Sequence, residues 1–220
     1  MSVRIDQVFV GGLHPLAPEG QLTGIFKAPV SGPTALGTTG LTGDCQGDPR
    51  HHGGAEKALH HYPVEHYDAL AARWPELAPR VGPGVLGENL STRGITEYDV
   101  CIGDVYVLGS CRIQVSQPRQ PCWKINHRLD TPGASMFVAE TGITGWYYRV
   151  LQTGQVAPGD VLELVERPTR WLTLALYWTT VLAHRPDPGL LRKIAAAPGL
   201  ASDKAARLQE RANWLEQNAC

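Results

Sequence analysis

The sequence predicts a mainly β protein that ends in a small group of helices. Before residue 170, short segments of alternating apolar and polar residues are separated by turns, and most of the 24 glycines and 17 prolines fall there. Beyond Arg167 and Pro168 the sequence changes to helix-start and helix-stop signals. We therefore predict a β-rich domain over residues 1–167 and a three-helix domain over residues 168–220.

Three β segments are the clearest in the sequence. Residues 3–10 alternate in part and precede a glycine pair, which predicts a strand followed by a turn. Residues 99–116 have the pattern of a hairpin, with Gly109 and Ser110 at the turn. The tripeptide GDV occurs at residues 103–105 and again at 159–161, each time before an alternating strand. Two copies of so short a motif do not establish an internal repeat.

Helix signals are few in the first domain and dense in the second. Pro63 suits the first position of a helix that Pro75 would end. In the tail, the pair Asp187-Pro188 predicts the start of one helix, and Ser202 is a candidate cap for another. Residues 171–183 complete the three as a helix, although their tryptophan, tyrosine, threonine and valine content also suits a strand.

Composition excludes several classes of function. Hydrophobic residues make up 43% of the chain and charged residues 19%, which is typical of a globular protein with a sizeable core. A formal net charge of −1 offers no general attraction to nucleic acid. The N-terminus lacks the apolar core of a signal peptide, and the most apolar stretch is too short to span a bilayer. We therefore expect a cytoplasmic protein that binds neither nucleic acid nor membranes.

The segment SQPRQPCWKIN at residues 116–126 carries the strongest chemical signal. Cys122 lies between Arg119 and Lys124, and two prolines restrict the backbone that leads to it. Nearby cations favour a thiolate, which is both a nucleophile and a metal ligand. Cys101 and Cys111 lie instead on alternating segments and are expected in the core. We therefore predict a catalytic or metal-binding role for Cys122, with a small buried hydrophobe as the alternative.

The five cysteines in the chain include no CxxC pair, so neither a disulfide framework nor a zinc knuckle is predicted.

A glycine-rich loop within residues 41–62 concentrates positive charge. Its adjacent glycines would let backbone amides approach a phosphate or similar anion, and a solvated basic turn is the alternative. The candidate anion-binding residues of this loop are Arg50, His52, Gly53, Gly54 and Lys57. Metal binding through Cys45, His51 and His52 is a further option, although the spacing fits no standard zinc pattern.

Four more polar residues are candidates for the same site. His61 could donate a proton near neutral pH or simply bond to the backbone, and Asp44 is the second candidate for proton transfer. Asn89, within GVLGENLST, can offer both ends of its amide to a ligand, although turn chemistry also explains it. Ser116 ends a strand just before the cysteine loop and is a candidate cofactor contact.

Five motifs occur in an order that is similar to a known family. They are TGDCQGDPRHHGGAEKALHHY, GVLGENLST, IGDVYVLG, QVSQPRQPCWKIN and TGWYYRVLQTGQVAPGDVLEL. With these motifs the chain resembles the MOSC domain, named for the C-terminal domain of molybdenum-cofactor sulfurase, and in particular its YiiM-like branch. That branch also carries a short three-helix C-terminal domain. The resemblance covers nearly the whole chain, and the loop and cysteine segments are specific in combination.

The resemblance implies a fold, a cofactor and an activity. It implies a MOSC-type β-barrel, of the pyruvate-kinase-barrel-like kind, that binds the molybdenum cofactor (molybdopterin) with Cys122 as the ligand of the metal. It also implies reduction of N-hydroxylated compounds, such as N-hydroxylated purine analogues, to amines, and so their detoxification. The residues suited to the phosphate and the anionic metal centre of this cofactor are Arg50, His52, Lys57, Arg119 and Lys124.

The sequence also leaves other functions open. It has no nucleotide-binding glycine motif and no cluster cysteines, so electrons for a reduction would come from a separate flavoprotein or iron–sulfur protein. A cysteine nucleophile with a histidine base, and a non-catalytic carrier of the cofactor or of sulfur, are the alternatives. DNA binding by the tail is disfavoured because its basic and acidic residues are mixed. A small-molecule substrate is expected, and a homodimer is one option for the assembly.

Overall fold

A computed structural model describes residues 1–17, 20–47 and 53–218 of the chain. The strands in these ranges are β1 Ser2–Val10, β2 His14–Leu16, β3 Gln21–Thr23, β4 Ala28–Pro29, β5 Thr34–Gly37, β6 Gly40–Leu41, β7 Leu59–Pro63, β8 Leu90–Thr92, β9 Val105–Leu108, β10 Cys111–Pro118, β11 Trp146–Gln152, β12 Gly154–Val156 and β13 Val161–Glu166. The α-helices are α1 Glu65–Arg73, α2 Lys124–Leu129, α3 Ala134–Thr141, α4 Leu174–Leu182, α5 Pro188–Ala195 and α6 Ser202–Gln217, and two 3₁₀ helices cover Ala55–Lys57 and Pro75–Leu77.

Seven of these strands close into a barrel. Around the ring the order is β1, β13, β9, β10, β11, β7 and β8, and β1 completes the circle by pairing with both β13 and β8. All neighbours in the ring are antiparallel except β7 and β8, which are parallel and are connected by a segment that contains α1. The mainly β fold class, a barrel with a few helices, is confirmed.

The predicted hairpin and strand starts are also confirmed. Strands β9 and β10 pair antiparallel across Gly109, whose φ of 56° lies in the left-handed region that favours glycine. A Cβ atom at Gly109 would lie 2.2 Å from the carbonyl oxygen of Gln155, so the close approach of the two segments also requires glycine. The first residues of β9 and β13 are Val105 and Val161, each the last residue of a GDV tripeptide.

Apolar side chains fill the barrel and continue into the C-terminal helices. Cys101 and Cys111 are buried, as predicted for core residues. The large side chains inside the barrel include Tyr106, Trp146 and Tyr148, which are fully buried. The same cluster takes in residues from the helices beyond the barrel, namely Leu174, Tyr177, Leu191, Ile194, Leu208, Ala212 and Leu215. The division into domains at residues 167 and 168 stays a prediction.

Helices α1, α2 and α3 pack around a second apolar cluster. Sequence analysis predicted α1 but placed its start wrongly, because Pro63 is the last residue of β7 and the helix begins at Glu65. It missed α2 and α3, which are only 6 and 8 residues long and have no side-chain cap. Such short helices depend on tertiary packing rather than on local signals, and here Ile125, Leu129 and Val138 supply that packing.

The three predicted helices of the tail are present. The Asp187 carboxylate accepts from the backbone amides of Gly189 and Leu190, so Asp187 caps α5 as predicted. Ser202 is the first residue of α6 rather than its cap, which is Ala201. Residues 174–182 form a helix and not a strand. None of the helices in the described ranges combines the length and the apolar character that crossing a bilayer requires.

Candidate functional site

Cys122 lies in the connection between β10 and α2, at the wall of two neighbouring cavities. The backbone before it is fixed to the barrel, since the Arg119 amide donates to the carbonyl oxygen of Gly145 at 3.0 Å. The backbone after it begins α2, where the Ile125 amide donates to the Cys122 carbonyl oxygen at 3.0 Å. The thiol is free and half-buried. The rigid barrel therefore holds a free cysteine side chain at the edge of open space.

The smaller cavity has a volume of about 70 Å³ and a strongly cationic wall. Its charged lining residues are Lys27, Asp44, Lys57, Arg119 and Lys124, so four cations face one carboxylate. Lys124 is buried and donates from Nζ to the carbonyl oxygen of Leu22 at 3.1 Å. Such an excess of cations in a confined space favours an anionic ligand.

Arg119 and His60 bring unused hydrogen-bonding atoms to this wall. Arg119 is only 4% exposed, and two of its nitrogens, Nε and Nη1, are buried without a hydrogen-bond partner. The Nε2 atom of His60 is buried and unpartnered in the same way. Buried polar atoms without partners are costly, and those at a cavity wall are commonly satisfied by a ligand. Two residues of the smaller cavity therefore have the capacity to bind a polar group there.

Asp44, in the loop that precedes Gly53 and Gly54, bonds to residues of the barrel and of neighbouring segments. Its Oδ2 atom lies 2.7 Å from Lys27 Nζ and accepts from Asn89 Nδ2 at 2.9 Å. Its Oδ1 atom accepts from the Gly11 amide at 3.0 Å. Burial lowers the pKa of Lys27, and the charge of Asp44 opposes that effect. The carboxylate thus favours the charged form of Lys27 at the wall of the smaller cavity.

The larger cavity has a volume of about 780 Å³ and opens beside the smaller one. The residues that line both cavities are Gly47, Lys57, Cys122, Lys124 and Tyr147. The larger cavity is also lined by Trp123, which is 40% exposed, and by Lys204 from α6. A cavity of this volume can enclose an organic molecule of moderate size.

Comparison with known proteins identifies the family of this site. Residues 48–163 match the MOSC domain. The chain belongs to the MOSC domain family. The matched range contains Cys122 and the strands that hold it, so the cysteine site lies within the MOSC domain.

Several relatives and solved structures match most of this chain. Protein YiiM of Escherichia coli is 39% identical over 96% of this chain and 93% of its own length. The crystal structure of YiiM from Escherichia coli has a TM-score of 0.83 at 32% identity, covering 97% of this chain and 94% of that chain. The crystal structure of YiiM from Geobacillus stearothermophilus has a TM-score of 0.80 at 34% identity, covering 96% and 99%. A protein of Gibberella moniliformis named "Reductase" is 39% identical over 76% of this chain and 30% of its own length.

Six of the twelve predicted site residues line the two cavities, four do not, and two lie outside the described residues. The cavity walls contain Asp44, Lys57, Asn89, Arg119, Cys122 and Lys124. Four predicted residues line neither cavity, namely Gly53, Gly54, His61 and Ser116. The Ser116 hydroxyl donates to the carbonyl oxygens of Glu56 and Tyr147, so it joins two backbone segments instead. Arg50 and His52 lie outside the described residues.

The predicted metal option at Cys45, His51 and His52 has only its cysteine within the described residues, where Cys45 is exposed and lines the smaller cavity. Within residues 1–17, 20–47 and 53–218, no three histidine, cysteine, aspartate or glutamate side chains form a group that could hold a metal ion. The option stays a prediction, because two of its three residues are not described.

His61 lies inside the barrel, away from both cavities. Its ring nitrogens are 3.0 Å from the Tyr148 hydroxyl and 2.7 Å from the Thr92 hydroxyl. Burial, with a smaller effect from His66, lowers the pKa of His61 from 6.5 to about 3, so the ring is neutral near pH 7. Successive side chains of a strand point to opposite faces, and it is His60 that reaches the smaller cavity.

We expect His61 to make the protein less stable in mild acid. The unfolded chain binds a proton below about pH 6.5, whereas the folded state does so only near pH 3, so stability falls as the pH is lowered through this window. Between pH 7 and pH 5 the loss from this residue is about 2 kcal/mol. Urea unfolding across that range should show a shallower pH dependence in His61→Gln than in wild type. The matched control is His14→Gln, at an exposed histidine, and equal slopes in all three proteins would contradict the assignment.

Sequence analysis missed three residues of the smaller cavity. Lys27 stands in no recognisable motif, and only the fold brings it to Asp44. His60 and Tyr147 are neighbours across β7 and β11, with ring centroids 5.3 Å apart. A strand over residues 59–63 places His60 and His61 on opposite faces, but Pro63 was predicted to start a helix. The segment reads LHHYP, without alternation of apolar and polar residues, so no local signal identified this strand.

Proposed function

We propose that this MOSC-domain protein binds the molybdenum cofactor at Cys122 and reduces N-hydroxylated compounds, such as N-hydroxylated purine analogues, to amines. The observation that carries the proposal is the half-buried Cys122 thiol at the junction of two cavities, one of which has Arg119 with two unpaired nitrogens in its wall. MOSC domains are generally associated with this cofactor. A relative that matches most of this chain is named "Reductase", which supports a reductive activity.

The residues present fit such a cofactor in charge and in ligand chemistry. The molybdenum cofactor carries a phosphate and an anionic metal centre, and the smaller cavity offers Lys57, Arg119 and Lys124. Arg119 can satisfy Nε and Nη1 only by gaining an acceptor, and an oxyanion is the acceptor that a guanidinium group binds best. A thiolate is a soft ligand of the kind that a protein can supply to molybdenum. When bound, the cofactor would supply a metal centre that exchanges two electrons and one oxygen atom.

The protein residues hold charge and protons around this position. Cys122 is the ligand that fixes the metal, and Arg119 binds and orients the anionic group. Lys27 Nζ lies 2.7 Å from Asp44 Oδ2 at the cavity wall, and we assign proton transfer to this pair. His60 is neutral because burial lowers its pKa well below 6.5, so its ring can accept or donate one hydrogen bond without adding charge.

The proposed reaction needs two electrons and two protons from outside the substrate. The N–O bond of R–NH–OH breaks, two electrons and two protons are taken up, and R–NH₂ and water are formed. The electrons come from a separate flavoprotein or iron–sulfur protein, which is a partner that we propose on the chemistry alone. Such a reaction would remove N-hydroxylated base analogues in the cytoplasm.

The test uses protein purified from a host that makes the cofactor. We expect about one molybdenum and one pterin per chain, and oxidation of reduced viologen dye when an N-hydroxylated purine is added. One molecule of amine should be formed for every two electrons that the dye gives up. Bound cofactor without turnover on any N-hydroxylated compound would favour a carrier, and absence of both metal and pterin would sink the proposal in favour of a cysteine nucleophile.

A further inference from the structure

Helix α6 contributes to the wall of the larger cavity, although it lies outside the barrel. Lys204 and Arg207, in the first two turns of the helix, line the cavity together with Cys122 and Trp123. The position of the helix is fixed by the barrel, because the Ala201 amide donates to the carbonyl oxygen of Ser116 at 2.9 Å. Ser116 belongs to β10, the strand that leads to Cys122. The helix and the cysteine loop are therefore held by the same strand.

The charge of this wall is strongly positive. The charged side chains that line the larger cavity are Lys57, Lys124, Asp203, Lys204 and Arg207, so four cations face one carboxylate. The one carboxylate, Asp203, lies 3.5 Å from Lys204 Nζ, so the cations of this wall outnumber their acidic neighbour. Burial lowers the pKa of Lys57, the charges of Lys204 and Arg207 add to the effect, and the charge of Asp203 opposes it.

Two further features of the same wall indicate a ligand. Gln117 is 1% exposed, lines the larger cavity, and has its Nε2 atom buried without a hydrogen-bond partner. Trp123 is 40% exposed, and its ring is steadied by an edge contact with His127 at 4.9 Å between centroids. A fixed, exposed indole beside a cavity offers a flat face on which a planar ring can stack.

We propose, resting on the function proposed above, that the substrates include N-hydroxylated nucleotides, with Lys204 and Arg207 of α6 binding the phosphate and Trp123 stacking on the base. A phosphate needs grouped cations and accepts hydrogen bonds from a side-chain amide such as that of Gln117. A heteroaromatic base needs a flat apolar surface, and its N–OH group must reach the Cys122 region. The larger cavity, with about 780 Å³, combines these three features around one space.

Binding can be tested apart from turnover, with adenosine 5′-monophosphate and adenosine as probes, because neither has an N–OH group. Calorimetry on the cofactor-loaded protein should give an affinity about tenfold higher for the monophosphate than for the nucleoside. In Lys204→Gln/Arg207→Gln this preference should disappear, while adenosine affinity stays within about twofold. The matched control, Arg80→Gln/Arg93→Gln, removes two exposed charges elsewhere and should behave as wild type. Trp123→Leu should weaken both probes by the same factor.

Two outcomes would overturn the inference. One is a wild-type protein that binds the monophosphate no better than adenosine. The other is loss of molybdenum and pterin from Lys204→Gln/Arg207→Gln, since these cations would then bind the phosphate of the cofactor and not that of a substrate. The function proposed above fails in a different way, by absence of molybdenum from wild type, and the two probes are then compared on the metal-free protein.

Discussion

Cys122→Ala should leave the purified protein without stoichiometric molybdenum. A thiolate sulfur is the one soft ligand that we assign to the protein, and a methyl group offers no donor atom in its place. Arg119, Lys57 and Lys124 are untouched by the change, so some pterin should remain while the metal is lost. Elemental analysis and fluorescence of the released pterin, on wild type and variant from the same cofactor-producing host, measure both quantities.

The matched control for this experiment is Cys45→Ala, because Cys45 lines the same smaller cavity. It should keep its metal, and both variants should melt within a few degrees of wild type, since Cys122 is half-buried and Cys45 is exposed. Retention of metal in Cys122→Ala together with its loss in Cys45→Ala would transfer the ligand role to Cys45. Equal metal in all three proteins would remove the thiol from the mechanism.

Asp44→Asn should destabilise the folded protein by about 3 kcal/mol, because it leaves the buried Lys27 ammonium without its counter-charge. The Lys27 and Asp44 side chains are 6% and 1% exposed, so both charges are largely removed from bulk water. Since burial already lowers the pKa of Lys27, the variant should lose less stability at high pH, where this lysine can be neutral. Urea unfolding at pH 7 and pH 9 measures both effects.

The double variant Lys27→Met/Asp44→Asn separates charge from packing. It should recover a large part of the stability lost in Asp44→Asn, since neither buried charge remains. The comparison pair is Arg112–Glu166, whose side chains are 42% and 60% exposed, and Glu166→Gln there should cost less than about 1 kcal/mol. If Asp44→Asn and Glu166→Gln lowered the free energy of unfolding by similar amounts, the charge of Asp44 would not be needed to stabilise Lys27.

The sequence predicted the elements whose signals are local. The strand at residues 3–10, the hairpin around Gly109 and the helix that Asp187 caps each depend on neighbouring residues, and all are present. Closure of the barrel has no local signal, because it depends on pairing between β1 and β13 at opposite ends of the domain. That part of the fold came from the resemblance to the MOSC domain. The helices α2 and α3 were missed because distant packing stabilises them.

The part of the site around Cys122 was predictable because its cysteine and its cations lie in one short segment. Arg119, Cys122 and Lys124 stand within six residues of each other and do line the cavities. Lys27 and Lys204 come from distant segments, and no spacing in the sequence connects them to Cys122. Which of His60 and His61 faces the cavity could be predicted only by recognising strand β7, because neighbouring residues of a strand point to opposite faces.

The pairing of Ser2 with Glu163 also has a consequence for how the chain is made. Strand β1 is synthesised before β13, so one of its edges must wait for about 160 further residues, which at normal rates of synthesis takes roughly 10 to 30 s. During this interval β1 can pair with β4 and β8 but not with β13, so its edge at residues 2–4 is open to strands of neighbouring nascent chains. Long-range closure of this kind is also slow to form. Aggregation during synthesis should therefore respond more strongly to changes at residues 2–4 and 161–163 than to equal changes in the C-terminal helices.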